Sequence, residues 1–182
     1  MKKTIYLTSK QDGLKLHVLL MEPEQSPKGI VQICHGMAEH KERYEPFMQM
    51  LCDNGYISVI HDHRGHGKSV KDAADLGYFY DDSGKAIIED TYQVTTWMKE
   101  RYGGELPYHL FGHSMGSLVV RCYLKKYDDE LDSLIVCGSP SENKAAKAAS
   151  LLAKIACKMG AHKRRVLPED GIWLIWKGIR RR

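Results

Sequence analysis

The pentapeptide Gly112-His113-Ser114-Met115-Gly116 constrains this chain more than any other stretch. It follows "LPYHLF", an apolar run of strand type. It precedes "SLVVRCYLKKY", whose Leu118, Val119, Cys122 and Tyr123 recur at helical spacing. A strand that becomes a helix within five residues leaves little room for side chains on the turn. Gly112 and Gly116 relieve that crowding, because side chains there would collide as strand and helix approach. The serine between them is then held on a tight, strained bend with its hydroxyl above the sheet. The helix N-terminus beside it favours developing negative charge. A serine at this place also suits an ordinary helix N-cap, and G-x-S-x-G recurs by chance. The order strand, motif, helix favours the nucleophile reading of Ser114.

The rest of the chain supplies a frame for such a turn. "TIYLTS" and "LKLHVLLMEP" read as strands joined at Asp12-Gly13, a hairpin signal. "GIVQICHG" is a short buried strand ending at Gly36. "ERYEPFMQMLCDNG" places Tyr44, Phe47, Met48 and Leu51 at helical spacing, with Gly55 as its stop. "YISVIHD" is the next strand, and a polar, Gly-rich loop runs on to about Gly84. Ile88, Tyr92, Thr95 and Met98 then mark one face of a longer helix, and "LDSLIVCGSP" is a further strand. Strands alternating with helices predict an α/β fold with a mostly parallel sheet, helices on both faces and an antiparallel N-terminal hairpin.

An activated serine needs backbone N–H donors aimed at the reacting oxygen. Met115, directly after the serine, supplies one. The second is expected from the loop after the third strand, "CHGMAEH", where Gly36 permits a sharp turn and Met37 offers its amide.

Three stretches, "HGMAEHKERY" (35–44), "HDHRGHGKS" (61–69) and "GHSMG" (112–116), resemble the α/β-hydrolase superfamily. Within it they look like the monoacylglycerol lipase and lysophospholipase-like group, also called serine aminopeptidase S33 or hydrolase 4. The resemblance covers about residues 10–160. It implies an enzyme that hydrolyses carboxylic esters, of monoacylglycerol or lysophospholipid type, through an acyl-enzyme on Ser114 and without a cofactor. The partner it implies is a small-molecule acyl ester. Glu39 matches a loop position of the group and is expected to brace the Gly36 loop rather than react.

The resemblance also implies a triad in the order Ser, Asp or Glu, His. Asp132 precedes the strand "SLIVCGSP" and so belongs at the wrong end of it. His162, the one histidine after Ser114, falls where the group has its lid. Neither is taken as the partner, and no convincing catalytic Asp or His is found. The alternative is therefore a non-catalytic remnant, or a ligand-binding module on the same scaffold.

The chain divides on this reading into the N-terminal part of the hydrolase core (1–140), the start of a lid (141–160) and an atypical basic tail (161–182). Residues 1–143 hold 16 Lys and Arg against 21 Asp and Glu, whereas 144–182 hold 11 against 2. That jump, with the C-terminal strands of the group missing, reads as a truncation or frame shift. Peripheral membrane contact through the lid or the tail stays open, but "GIWLIWKGI" is apolar all round rather than along one stripe. Nucleic-acid binding is not expected.

Other motifs carry less. His61, His63 and His66 lack a carboxylate or cysteine cluster to complete a metal site and read as solvated or hydrogen-bonded loop histidines. Gly67-Lys68-Ser69 resembles a phosphate loop, but Asp62 stands where that motif needs glycine. His113 points away from the serine by strand alternation. Of the five cysteines none forms a CxxC pair, and they read as reduced, buried thiols. The N-terminus has no continuous apolar segment, which suggests a cytoplasmic protein.

Overall fold

The computed structural model describes residues 1–81 and 83–141. The expected lid start and basic tail, with His162, lie outside these residues apart from position 141.

The Asp12-Gly13 turn joins β1 (Lys2–Thr8) to β2 (Lys15–Met21), which pair antiparallel with Thr8 opposite Lys15. Gly13 takes φ +74° at the turn, a region where a side chain is disfavoured. β3 (Gly29–Cys34), β4 (Tyr56–His61), β5 (Tyr108–His113) and β6 (Ser133–Cys137) complete a six-stranded sheet in the order β1-β2-β4-β3-β5-β6. β4 runs antiparallel to β2, while β3, β4, β5 and β6 are mutually parallel.

Each parallel crossover carries a helix. α1 (Glu45–Asp53) has Pro46 in its first turn, where a missing N–H costs nothing. α2 (Ala86–Tyr102) ends on Gly103 in the left-handed region. α3 (Met115–Tyr127) follows Ser114 directly. Strand alternation distributes the core. Val31, Ile33 and Ile60 face Met48 of α1 on one side of the sheet. On the other side Ile30 and Tyr108 meet Val94 and Met98 of α2, and Cys34 and Leu110 meet Val119, Val120 and Tyr123 of α3. β3 is buried at every position, as a central parallel strand should be. Its one polar side chain, Gln32, donates to the Thr91 carbonyl and accepts from the Thr95 and Tyr108 hydroxyls.

Three details depart from expectation. The buried face of α2 is Ile87, Asp90, Thr91, Val94, Thr95 and Met98 rather than one led by Ile88 and Tyr92. The cause is tertiary: Asp90 turns inward to the Arg64 guanidinium at 2.8 Å, while Tyr92 stacks on Tyr127 at 3.8 Å and stays half-buried. Among the four described cysteines all are free, but only Cys34 is buried, and Cys137 on β6 is exposed. The histidines of this stretch are not solvated: His61, the last residue of β4, and His63 and His66 after it are buried. Among the described residues only His66 of the three is hydrogen-bonded through its ring, to the Arg64 carbonyl. β6 is the outer strand of the described sheet, and its Ile135 and Val136 are exposed. Among the described residues no helix is long and apolar enough to cross a membrane.

Candidate active site

Ser114 sits at the junction of β5 and α3 with φ 52° and ψ −115°. A non-glycine residue at positive φ carries strain of about 1–3 kcal/mol, held in place by its surroundings. Its side chain makes no helix-capping hydrogen bond, so the N-cap alternative is not realised. Ser114 N–H instead donates to the Cys137 carbonyl at 3.0 Å, which ties the bend to the end of β6.

The flanking glycines have physical reasons. A Cβ on Gly116 would lie 2.0 Å from the Cys34 carbonyl oxygen, and one on Gly112 would lie 2.5 Å from the Gly116 carbonyl oxygen. α3 can therefore press its first turn against the end of β3 only without side chains there. That contact brings the loop after β3 to the serine: a Cβ on Gly36 would lie 3.2 Å from the Ser114 Cβ.

The Gly36 loop is held by three sets of bonds. Glu39 accepts from the Gly36 N–H at 2.7 Å and from the Tyr44 hydroxyl at 2.9 Å, with Arg43 at 3.4 Å. These bonds keep its carboxyl below the ordinary Glu range although burial works upward. Tyr44 also meets His113 Nδ1 at 2.9 Å, so His113 is engaged on the Glu39 side. The ring of His35 donates from Nδ1 to the Gly36 carbonyl and accepts the His63 N–H on Nε2. Only a neutral imidazole can do both. Burial, then the neighbouring His66, pulls the His35 pKa down to about 3. Finally, Lys41 donates from its ammonium and its backbone N–H to Asp62, which also accepts the Lys68 N–H. Burial raises Asp62, but the Lys41 ammonium and the two amides outweigh it and hold the carboxyl below its ordinary range. Ala38, at φ 55°, completes the bend.

The Gly36 amide is thus committed to Glu39. The next one, Met37 N–H, bonds to no described residue. Met115 begins α3, where the first N–H groups lack intrahelical acceptors. Both amides lie on the segments that converge on Ser114. Its hydroxyl receives or donates no hydrogen bond to another described side chain.

Asp132 accepts the Tyr108 N–H at 2.6 Å, at the start of β5, the opposite end of that strand from Ser114. No group of three or more His, Cys, Asp or Glu among the described residues could hold a metal ion. The buried network around Arg64 was not legible in the sequence. Its guanidinium reaches Asp90, Asp12, Ser9 and the Phe79 carbonyl, from positions up to 55 residues apart. The arginine in "HDHRGHGKS" was the one signal for it, and nothing local named its partners.

A sheet in this order, with a strained serine between β5 and the helix that follows it, defines an α/β-hydrolase. A family model, Hydrolase_4 (serine aminopeptidase, S33), matches residues 25–172. The chain belongs to that family. It is 33% identical over 108 residues to monoglyceride lipase of Homo sapiens, covering 59% of this chain and 34% of that protein. It is 28% identical over 148 residues to monoacylglycerol lipase of Mycolicibacterium smegmatis, covering 81% and 50%. Among solved structures, a thermostable carboxyl esterase from Bacillus coagulans in complex with glycerol superposes with TM-score 0.76 at 30% identity, over 87% of this chain and 51% of that one. The chain spans at most about half the length of these proteins.

Proposed function

We propose that this chain carries the nucleophile half of a carboxylic ester hydrolase acting on monoacylglycerol- or lysophospholipid-type substrates. Ser114 Oγ attacks the ester carbonyl carbon. The amides of Met37 and Met115 hold the oxyanion, and the alcohol leaves with a proton as the acyl-enzyme forms. Water then releases the fatty acid. The observation that carries this reading is the Ser114 bend itself, kept at positive φ by two glycines that no side chain could replace without collision. The lipase and esterase names of the relatives support the ester class.

A second reading, a ligand-binding module without turnover, is favoured by one fact. No described side chain hydrogen-bonds the Ser114 hydroxyl, and the nearby His35 and His113 are engaged elsewhere. A fluorophosphonate probe separates the two. Labelling of this chain that disappears in Ser114→Ala marks an activated serine. Absence of labelling on a folded chain leaves the binding module standing and sinks the hydrolase.

A further inference from the structure

The sheet is covered unevenly. On the α3 side of β5, Tyr108, Leu110 and Gly112 are buried, whereas His109, Phe111 and His113 on the α1 side are half-buried. α1 lies over β3 and β4, where Met48 meets Ile33 and Ile60. It reaches β5 through Phe47, whose ring lies 5.2 Å from that of Phe111. Beyond Phe111 the face is bare. Ile135 of β6, paired with Phe111, is 46% exposed, and Cys137, paired with His113, is exposed too. A cavity of about 350 Å³ opens there, walled in part by Phe47 and Phe111. Parallel strands are built to be covered on both faces. We infer that residues 172–176 of this chain, "IWLIW", lie on the bare face of β5 and β6, with the basic residues that follow them turned to the acidic turns at the N-terminal ends of the strands.

Three properties single out that stretch as the occupant. It is apolar without a polar stripe, which suits a buried place and not a membrane surface. The match to the Hydrolase_4 family stops at residue 172, so Trp173 and Trp176 belong to this chain's own sequence. Its charge setting complements the core. Residues 144–182 hold 11 Lys and Arg against 2 Asp and Glu, and residues 1–143 hold 16 against 21. Lys177, Arg180, Arg181 and Arg182 follow the apolar run. The turns just before β3, β4, β5 and β6 carry Glu24, Asp53, Glu105 and Asp132, all exposed, and Lys28 is the one cation in those turns.

Reach sets no obstacle. Residue 141 follows the last residue of β6 by four positions, beside the bare face. Residues 142–171 can span up to about 100 Å when extended, several times the length of any strand here.

The test reads the Cys137 thiol with N-ethylmaleimide, by mass spectrometry of its peptide, in the whole chain at low concentration. Strand alternation puts Cys137 on the same face as Ile135. In the folded chain it should react at least about tenfold more slowly than in the same chain unfolded in urea. Trp173→Ser with Trp176→Ser should restore most of the rate while circular dichroism shows the fold intact. Ile135→Asn should do the same, and adding it to the tryptophan pair should raise the rate no further. Val136→Asn, at an exposed position on the opposite face of β6, should leave the thiol protected. A folded chain whose Cys137 reacts as fast as the unfolded one overturns the inference, and that comparison needs no variant. Protection that survives the loss of both indoles overturns it as well. If that protection grows with protein concentration alongside a dimer in sedimentation, a second copy covers the face. If protection appears only with phosphatidylglycerol vesicles, a lipid surface covers it and the inference fails.

Discussion

Lowering the pH from about 7 to about 5 should remove a large share of the folding stability, through three histidines packed together behind the Gly36 loop. His35, His61 and His63 are fully buried, with ring centroids 4.3 Å apart for His35 and His63 and 4.9 Å for His61 and His63. Both ring nitrogens of His61 and of His63 lack a hydrogen-bond partner among the described residues. Burial holds the His61 pKa down at about 4 and His35 at about 3, and holds His63 well below its ordinary 6.5. In the unfolded chain each returns to about 6.5. The unfolded state therefore binds protons first as the pH falls, and stability present above 6.5 is lost progressively below it. At about pH 5 each such group costs about 2 kcal/mol relative to neutral pH, and the three together about 5–6 kcal/mol. His17 and His66, also held low by burial, act in the same direction. Carboxylates held low, such as Asp62 and Glu39, lose their contribution only under more acid conditions. Asp90, raised by burial, works the opposite way there. A typical domain has about 5–15 kcal/mol in all, so the loss is enough to bring the protein close to unfolding. Urea unfolding followed by circular dichroism at several pH values gives the slope directly. His61→Phe keeps a ring in place and removes one titration, so it should reduce the share of the slope due to these three rings by about a third, and the whole slope, which includes His17 and His66, by less. A stability that stays level across this window would refute the argument that these rings are buried and neutral.

Two substitutions probe the site's supports. Gly116→Ala places a Cβ 2.0 Å from a backbone carbonyl that cannot swing aside, and should cost about 3 kcal/mol or more and abolish Ser114 labelling. Thermal melts and fluorophosphonate labelling read the two effects. Arg64→Leu leaves Asp90 buried without its cation, and should destabilise by about 3–5 kcal/mol; Asp90→Asn in the same chain should recover part of that loss in denaturant titrations.

Much of this molecule was written in local pattern. The hairpin at Asp12-Gly13 and the alternation of strands and helices rest on local interactions, a turn that needs glycine and an apolar period. The Ser114 pentapeptide announces a crowded bend even though the atom that crowds Gly116 most, the Cys34 carbonyl oxygen, comes from β3. Such features follow from short-range sterics and are readable wherever they occur. The order of the strands was not among them, because β4 lies between β2 and β3 through long-range pairing that no local period encodes. The inward turn of Asp90 was hidden for the same reason, since its partner Arg64 comes from another segment. "HDHRGHGKS" gave the clearest divergence. As a string it is polar and looks like an exposed loop. In the fold Lys41 and the Gly36 loop close over it, burying Asp62 as an anchor and leaving its histidines neutral. Residue types alone determined which serine is held on a strained bend. The tertiary structure alone decided which polar side chains brace the loop facing it, because burial and charge pairing belong to segments that meet only once the sheet has formed.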